Sequence, residues 1–181
     1  MKTESLGLSG LILIELDVFR DARGQFVETY SEPRYRAAGI GCGFVQDNLS
    51  RSARGVLRGL HYQAHPGQAK LVGVVSGRIF DVAVDLRPDS PTFGKWEGVI
   101  LDAAEPRQLF IPVGFAHGFC VLSEVAEVSY KVSSVYDGAQ ERTLAWNDPD
   151  LAIGWPTSTP ELSARDQRGE SFADYARRAR A

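Results

Sequence analysis

The sequence predicts an all-β protein, an antiparallel sandwich or jelly-roll barrel with short helices only at its periphery. Three observations lead there. Short β-branched and aromatic runs recur along most of the 181 residues, Pro and Gly punctuate their connections, and helical periodicity is nearly absent before the tail.

The elements follow in order. Leu11 to Leu16 is apolar and β-branched enough for a strand. Asp21-Ala22-Arg23-Gly24 reads as a turn ahead of a second run from Gln25 to Tyr30. Ser31 can cap a short helix through Ala38, with Pro33 tolerated in its first turn and Gly39 as its stop. From Lys70 to Leu86 two β-rich runs flank Ser76-Gly77, which predicts a hairpin. In the second run Phe80, Val82, Val84 and Leu86 share one face, while Asp81, Ala83 and Asp85 share the other. Further strands are expected at Trp96–Leu101, Arg107–Ile111, Phe119–Leu122 and Val128–Val132, separated by connections rich in Pro and Gly. Helix returns at the C-terminus. There Ser171 and Asp174 have capping-box spacing, and Phe172, Tyr175, Ala176 and Ala179 form a narrow apolar stripe. With no repeat, linker or low-complexity segment, residues 1–181 read as one domain.

A net charge of −3 gives no long-range attraction to nucleic acid, so an anionic ligand would have to be held by a local cluster of Arg and Lys. Cys42 and Cys120 lie far apart and outside any CxxC spacing, which predicts buried free thiols in a reducing compartment. The apolar start, Leu6 to Ile14, is interrupted by Ser9 and Gly10 and followed by Glu15 and Asp17, so no secretory signal is expected. No run is long enough to cross a membrane as a helix, and the cytoplasm is the expected location.

Two histidine strings carry the chemistry: Arg58-Gly59-Leu60-His61-Tyr62-Gln63, with Lys70 close behind, and the glycine-flanked stretch from Gly114 through His117 to Phe119. Metal ligation fits poorly. His61 and His65 are spaced for a helix face, and in a strand the same spacing separates the rings by about 13 Å. General base chemistry fits better, because an imidazole titrates near neutral pH. A carboxylate behind His61 would fix its tautomer, with Asp81, Asp85 and Asp166 all candidates. Lys70 could hold charge developing on a substrate oxygen, and Tyr130 could donate a proton from its strand. Taken singly, each has a plainer reading: His61 as a hydrogen-bonded structural residue, Lys70 as a solvated strand residue, Tyr130 as core or rim, Arg23 as a turn arginine. One tension stands out. In a regular strand Arg58 and His61 face opposite sides, so both can line one cavity only if Gly59 permits a bulge or the strand ends there.

These strings, taken in order with Gln46-Asp47-Asn48, Gln68-Ala69-Lys70, Phe80 to Asp85, Ser90 to Gly94, Asn147-Asp148-Pro149, Trp155-Pro156 and Leu162 to Asp166, resemble the dTDP-4-dehydrorhamnose 3,5-epimerase family. The resemblance runs from about residue 10 to residue 170. It implies a cupin-like barrel that inverts C3 and C5 of a dTDP-linked 4-keto-6-deoxyhexose, without metal or organic cofactor. By position, His61 matches the family's base, Asp166 the acid that orients it, Tyr130 the opposed proton donor and Lys70 the cation near the enolate oxygen. Arg23, Glu28, Gln46, Asn48, Arg58, His117 and Glu141 match positions that hold nucleotide, diphosphate and sugar. Arg165 stands where many relatives have Lys, which would turn a point charge into a planar fork. The segment between Trp155 and Asp166 looks slightly short, which could shift how Asp166 approaches His61. The resemblance also implies a homodimer in which Arg23 and Glu28 reach across the interface. A nearby alternative is an epimerase acting at C3 or C5 alone. The contrasting class is a non-catalytic nucleotide-sugar-binding barrel, which would need no opposed acid and base.

Overall fold

The structure is a computed structural model that describes residues 1–180. In chain order its strands are β1 (Lys2–Ser5), β2 (Ile12–Glu15), β3 (Val18–Asp21), β4 (Gly24–Val27), β5 (Gln46–Ala53), β6 (Leu57–Gln63) and β7 (Lys70–Ser76). They continue as β8 (Arg78–Asp85), β9 (Trp96–Asp102), β10 (Arg107–Ile111), β11 (Phe115–Val121), β12 (Val125–Val132) and β13 (Glu141–Thr143). Helix α1 (Glu32–Ala37) follows β4, and α2 (Phe172–Ala179) is the last element of the described residues. A six-stranded sheet runs β1-β2-β10-β7-β12-β5 and a five-stranded sheet β13-β6-β11-β8-β9, while β3 and β4 form a separate ribbon. The expected antiparallel sandwich is what forms, with its two peripheral helices.

Apolar side chains from both sheets meet between them: Val72, Leu109 and Val128 from one, Ile79, Ala83 and Phe119 from the other. Each sheet is also covered on part of its outer face. Tyr35 of α1 packs with Ile14, Leu71 and Phe110. The C-terminal segment lays Leu144, Leu151, Trp155 and Phe172 over Val82, Val84 and Leu86. Double coverage explains why β8 reads as a nearly continuous buried run and yet keeps its alternation, with Val82 and Val84 under the C-terminal segment and Ala83 in the inter-sheet core.

The hairpin expected at Ser76-Gly77 does not form. β7 lies between β10 and β12, and β8 lies between β11 and β9 in the other sheet. Gly77 (φ +81°) does make the sharp turn, and a Cβ there would sit 2.2 Å from the Val125 carbonyl oxygen. The glycine signals a tight reversal but not a partner, and here the chain uses it to step from one sheet to the other. Ser31 starts α1 as expected, but its hydroxyl makes no capping bond, whereas Ser171 accepts from the Asp174 amide as its spacing predicts. Among the described residues no helix is long and apolar enough to cross a membrane.

Asp85 organises the loop after β8. Its carboxylate accepts from the Arg87 side chain (2.8 Å) and from the hydroxyls of Ser90 (2.5 Å) and Thr92 (2.6 Å). Burial alone would raise this carboxyl, but the bonds from Arg87, Ser90 and Thr92 outweigh it and bring the pKa down to about 2. The folded pKa lies below the unfolded value, so the stabilisation is present above about pH 4 and disappears as pH falls toward 2. Asp85→Asn should lower unfolding free energy by about 2–4 kcal/mol at neutral pH, read from urea melts, and by much less near pH 2.

Candidate active site

A cavity of about 340 Å³ opens between the sheets. β5 contributes Gln46, Asn48 and Ser50; β6 contributes Arg58 and His61; β7, β11 and β12 contribute Lys70, His117 and Tyr130. Glu141 of β13 and Arg165 of the C-terminal segment complete one side.

The strand tension at Arg58 and His61 is resolved by a bulge. His117 of β11 pairs with His61, but Phe119 pairs with Arg58, so two steps on one strand match three on the other. Gly59 sits at φ +130°, and a Cβ on it would lie 2.5 Å from Gly118 Cα. Only a residue without a side chain admits this close approach, and the extra residue turns Arg58 and His61 toward the same cavity.

The three candidate carboxylates divide among three partners. Asp85 serves its loop. Asp81 meets His117 Nε2 at 2.9 Å in a buried pair at the cavity wall. Asp166, on a 3-10 turn at Asp166–Arg168, meets His61 Nε2 at 2.6 Å and is 3% exposed. The segment after Trp155 is therefore long enough. With the Nε2 proton donated to Asp166, Nδ1 of His61 is the nitrogen left to take up another. Burial lowers the proton affinity of His61, Asp166 restores part of it, and Lys70 and Arg165 oppose it, leaving a pKa below the ordinary histidine value. The imidazole is neutral at neutral pH.

Lys70 Nζ donates to the His61 carbonyl oxygen at 3.3 Å. Burial brings its pKa down to about 8, against the opposing charges of Glu141 and Asp81, so it remains mostly an ammonium at pH 7. Tyr130, on β12 beside β7 in the same sheet as Lys70, faces His61 of the five-stranded sheet across the cavity. Burial, with help from Glu141, holds its phenol above the ordinary value, so it keeps its proton. Arg165 pairs with Glu141 and brings its guanidinium to 3.0 Å from His61 Nε2. The planar group thus pairs with Glu141 of β13 and lies beside the imidazole.

Arg23 and Glu28 lie elsewhere. Arg23 sits at the tip of the β3–β4 ribbon, paired with Asp21 at 2.6 Å, and Glu28 follows the ribbon, paired with Arg34 at 2.7 Å. Neither lines the cavity in the single chain. Sequence reasoning missed Ser50 and Tyr136. The Ser50 hydroxyl is buried in the cavity wall with no protein partner, and Tyr136 stands at the mouth, 54% exposed. An aromatic in the polar stretch Ser133 to Asp137 was the available signal for Tyr136. Ser50 gave none.

A family model described as dTDP-4-dehydrorhamnose 3,5-epimerase matches residues 5–174. A Pseudomonas aeruginosa protein named dTDP-4-dehydrorhamnose 3,5-epimerase is 53% identical over 176 residues, spanning 96% of this chain and 97% of its own. Among solved structures, the Legionella pneumophila dTDP-6-deoxy-D-glucose-3,5-epimerase in complex with dTDP-4-keto-L-rhamnose superposes with a TM-score of 0.92 at 45% identity, covering 96% of each chain. A 4-keto-6-deoxy sugar epimerase from the novobiocin biosynthetic gene cluster of Streptomyces spheroides gives a TM-score of 0.93 at 45% identity, over 99% of this chain and 90% of the other.

Two measurements check the site's construction. Gly59→Ala should lower unfolding free energy by about 2–4 kcal/mol, and a loss under about 0.5 kcal/mol would show that the bulge tolerates a side chain. Asp166→Asn should move the His61 titration, followed by NMR, further below the ordinary histidine value, because it removes the charge that favours the imidazolium.

Proposed function

The chain belongs to the dTDP-4-dehydrorhamnose 3,5-epimerase family and is an isomerase, and from that premise we propose that it inverts C3 and C5 of dTDP-4-dehydro-6-deoxy-D-glucose. The product is dTDP-4-dehydro-L-rhamnose, an intermediate in making dTDP-L-rhamnose. Both carbons flank the C4 carbonyl. Breaking the C–H bond sends the proton to the free nitrogen of His61 and the electron pair toward the C4 oxygen, giving an enolate. Lys70 meets the charge on that oxygen. Tyr130 returns a proton to the opposite face of the same carbon, which inverts it. His61 then releases its proton and Tyr130 regains one before the second carbon reacts.

The observation that most supports this reading is a neutral imidazole and a protonated phenol supplied by facing sheets to one cavity, beside a buried cation. Gln46, Asn48, Arg58, His117, Glu141 and Arg165 are the chain's own groups for nucleotide, diphosphate and sugar. Arg58 and Arg165 answer the charge problem of an acidic protein with an anionic ligand.

Arg23 and Glu28 would take part through a homodimer in which the β3–β4 ribbon enters the partner's cavity. Exposed Phe19 and Phe26 on the ribbon and exposed Leu49 and Val75 on the six-stranded sheet favour such an association. The free thiols Cys42 and Cys120 suit a reducing cytoplasm.

Incubation with dTDP-4-dehydro-6-deoxy-D-glucose in heavy water, read by NMR, should give deuterium at both C3 and C5. Label at one carbon would make it a single-centre epimerase, and none would leave a binding protein. His61→Ala should abolish exchange while dTDP affinity stays within about threefold. Turnover should fall as pH rises past about 8, where Lys70 gives up its charge. Mixing Arg23→Ala chains with His61→Ala chains should restore activity that neither has alone; no recovery would place Arg23 outside the shared site.

A further inference from the structure

Asp166 lies on a short turn that the flanking segment must hold in place: upstream, Glu161 exchanges 3.0 Å backbone bonds with Gly55 and Leu57, and beside it Arg165 pairs with Glu141 of β13. The 3-10 turn at Asp166–Arg168 has three residues, and Ala164, Arg165, Gln167 and Arg168 around it are exposed. So short a turn has negligible intrinsic stability. Its internal bonds, Asp166 amide to Ser163 Oγ at 3.1 Å and Arg168 amide to Arg165 carbonyl at 2.9 Å, do not reach the barrel. A 2.6 Å contact with His61 nevertheless needs the two backbones registered to a fraction of an ångström.

The nearest anchor after the turn is Glu170. Its amide donates to the Thr143 carbonyl at 2.9 Å and its carbonyl accepts from the Ala145 amide at 2.8 Å, and Thr143 itself pairs with His61 across β13 and β6. Its carboxylate accepts from Tyr62 Oη at 2.6 Å and from both Arg178 nitrogens at 2.7 and 2.9 Å. Arg178 Nη2 also donates to Tyr62 Oη at 3.0 Å, closing a triangle. Tyr62 follows His61 directly on β6, so the pair presents opposite faces of one strand: the base toward the cavity, the phenol toward the outer cover. Tyr62 is 8% exposed and packs edge-on against Tyr175 of α2 at 5.5 Å.

We infer that Tyr62, Glu170 and Arg178 are positioning residues: the triangle ties the residue beside the base to the residue four places beyond its carboxylate, and so sets the His61–Asp166 contact. The kinetic consequences rest on the epimerase reading; the geometric one does not. If the triangle served only to fasten α2, its loss would lower stability and leave the base unchanged.

The test compares Glu170→Ala, Tyr62→Phe and Glu170→Gln with the wild-type chain. The groups facing His61 are Asp166 and Arg165 from the C-terminal segment, Lys70 from β7 and His117 from β11. Of these, Asp166 is the one that favours the imidazolium, so its retreat lowers the His61 pKa. Glu170→Ala should therefore shift the His61 NMR titration of ligand-free protein downward, in the same direction as Asp166→Asn. It should cut kcat about 10–100-fold with KM within about twofold, and move the acid limb of the kcat profile to lower pH. Tyr62→Phe should act in the same direction more weakly, and Glu170→Gln, which keeps an acceptor for Tyr62, should recover most of the loss. A folded Glu170→Ala protein with wild-type His61 titration and wild-type kcat overturns the inference, whatever its melting temperature. A wild-type chain that exchanges no solvent hydrogen into the keto sugar overturns the epimerase reading instead, and the ligand-free titration then still decides whether the clamp holds the base.

Discussion

Two backbones that touch where no side chain fits shape the working part of this molecule. Gly59 and Gly118 bring β6 and β11 so close that a Cβ on either would collide with the other strand's backbone, at 2.5 Å and 2.8 Å respectively. The contact permits the extra residue on β6, and that residue turns Arg58 and His61 to one side. Without it, strand alternation would put one of them in the outer cover and leave the cavity short of either its imidazole or a cation. Lys70 and Tyr130 need no such device, because β7 and β12 pair regularly there and present both toward the opposite sheet.

The electrostatics follow from the same enclosure. The chain carries a net charge of −3, yet Arg58, Lys70 and Arg165 all face one cavity. Lys70 feels the enclosure most, since burial works against its charge while Glu141 and Asp81 support it. The same burial acts oppositely on its neighbours, keeping the proton on Tyr130 and discouraging one on His61. One low-dielectric setting thereby leaves a protonated phenol and a neutral imidazole on the same cavity.

Much of this was legible in the sequence, and the failures have physical causes. The all-β class, both helices and most strands followed from period and punctuation. β5 escaped because its inward residues, Gln46, Asn48 and Ser50, are polar: they line a cavity, so the alternation that marks a strand carries no hydrophobic contrast. β13 is three residues long, too short for any pattern. The turn at Gly77 was visible but not its destination, since local chemistry fixes a bend and long-range pairing decides which sheet receives the next strand. Among the site residues, Asp81, Asp85 and Asp166 were equivalent by composition, and the resemblance favoured Asp166. The structure separates them by what each can reach: a buried histidine, a loop arginine with two hydroxyls, or His61.

The order in which these parts leave the ribosome has a consequence of its own. Among the described residues the strands of both sheets precede Leu144, whereas Asp166, Glu170 and Arg178 are translated after them. A nascent chain can therefore close its sandwich, and assemble the bulge with its imidazole, before the carboxylate that orients that imidazole has been synthesised. In that order the His61–Asp166 contact closes afterwards, as the later segment folds down over the barrel.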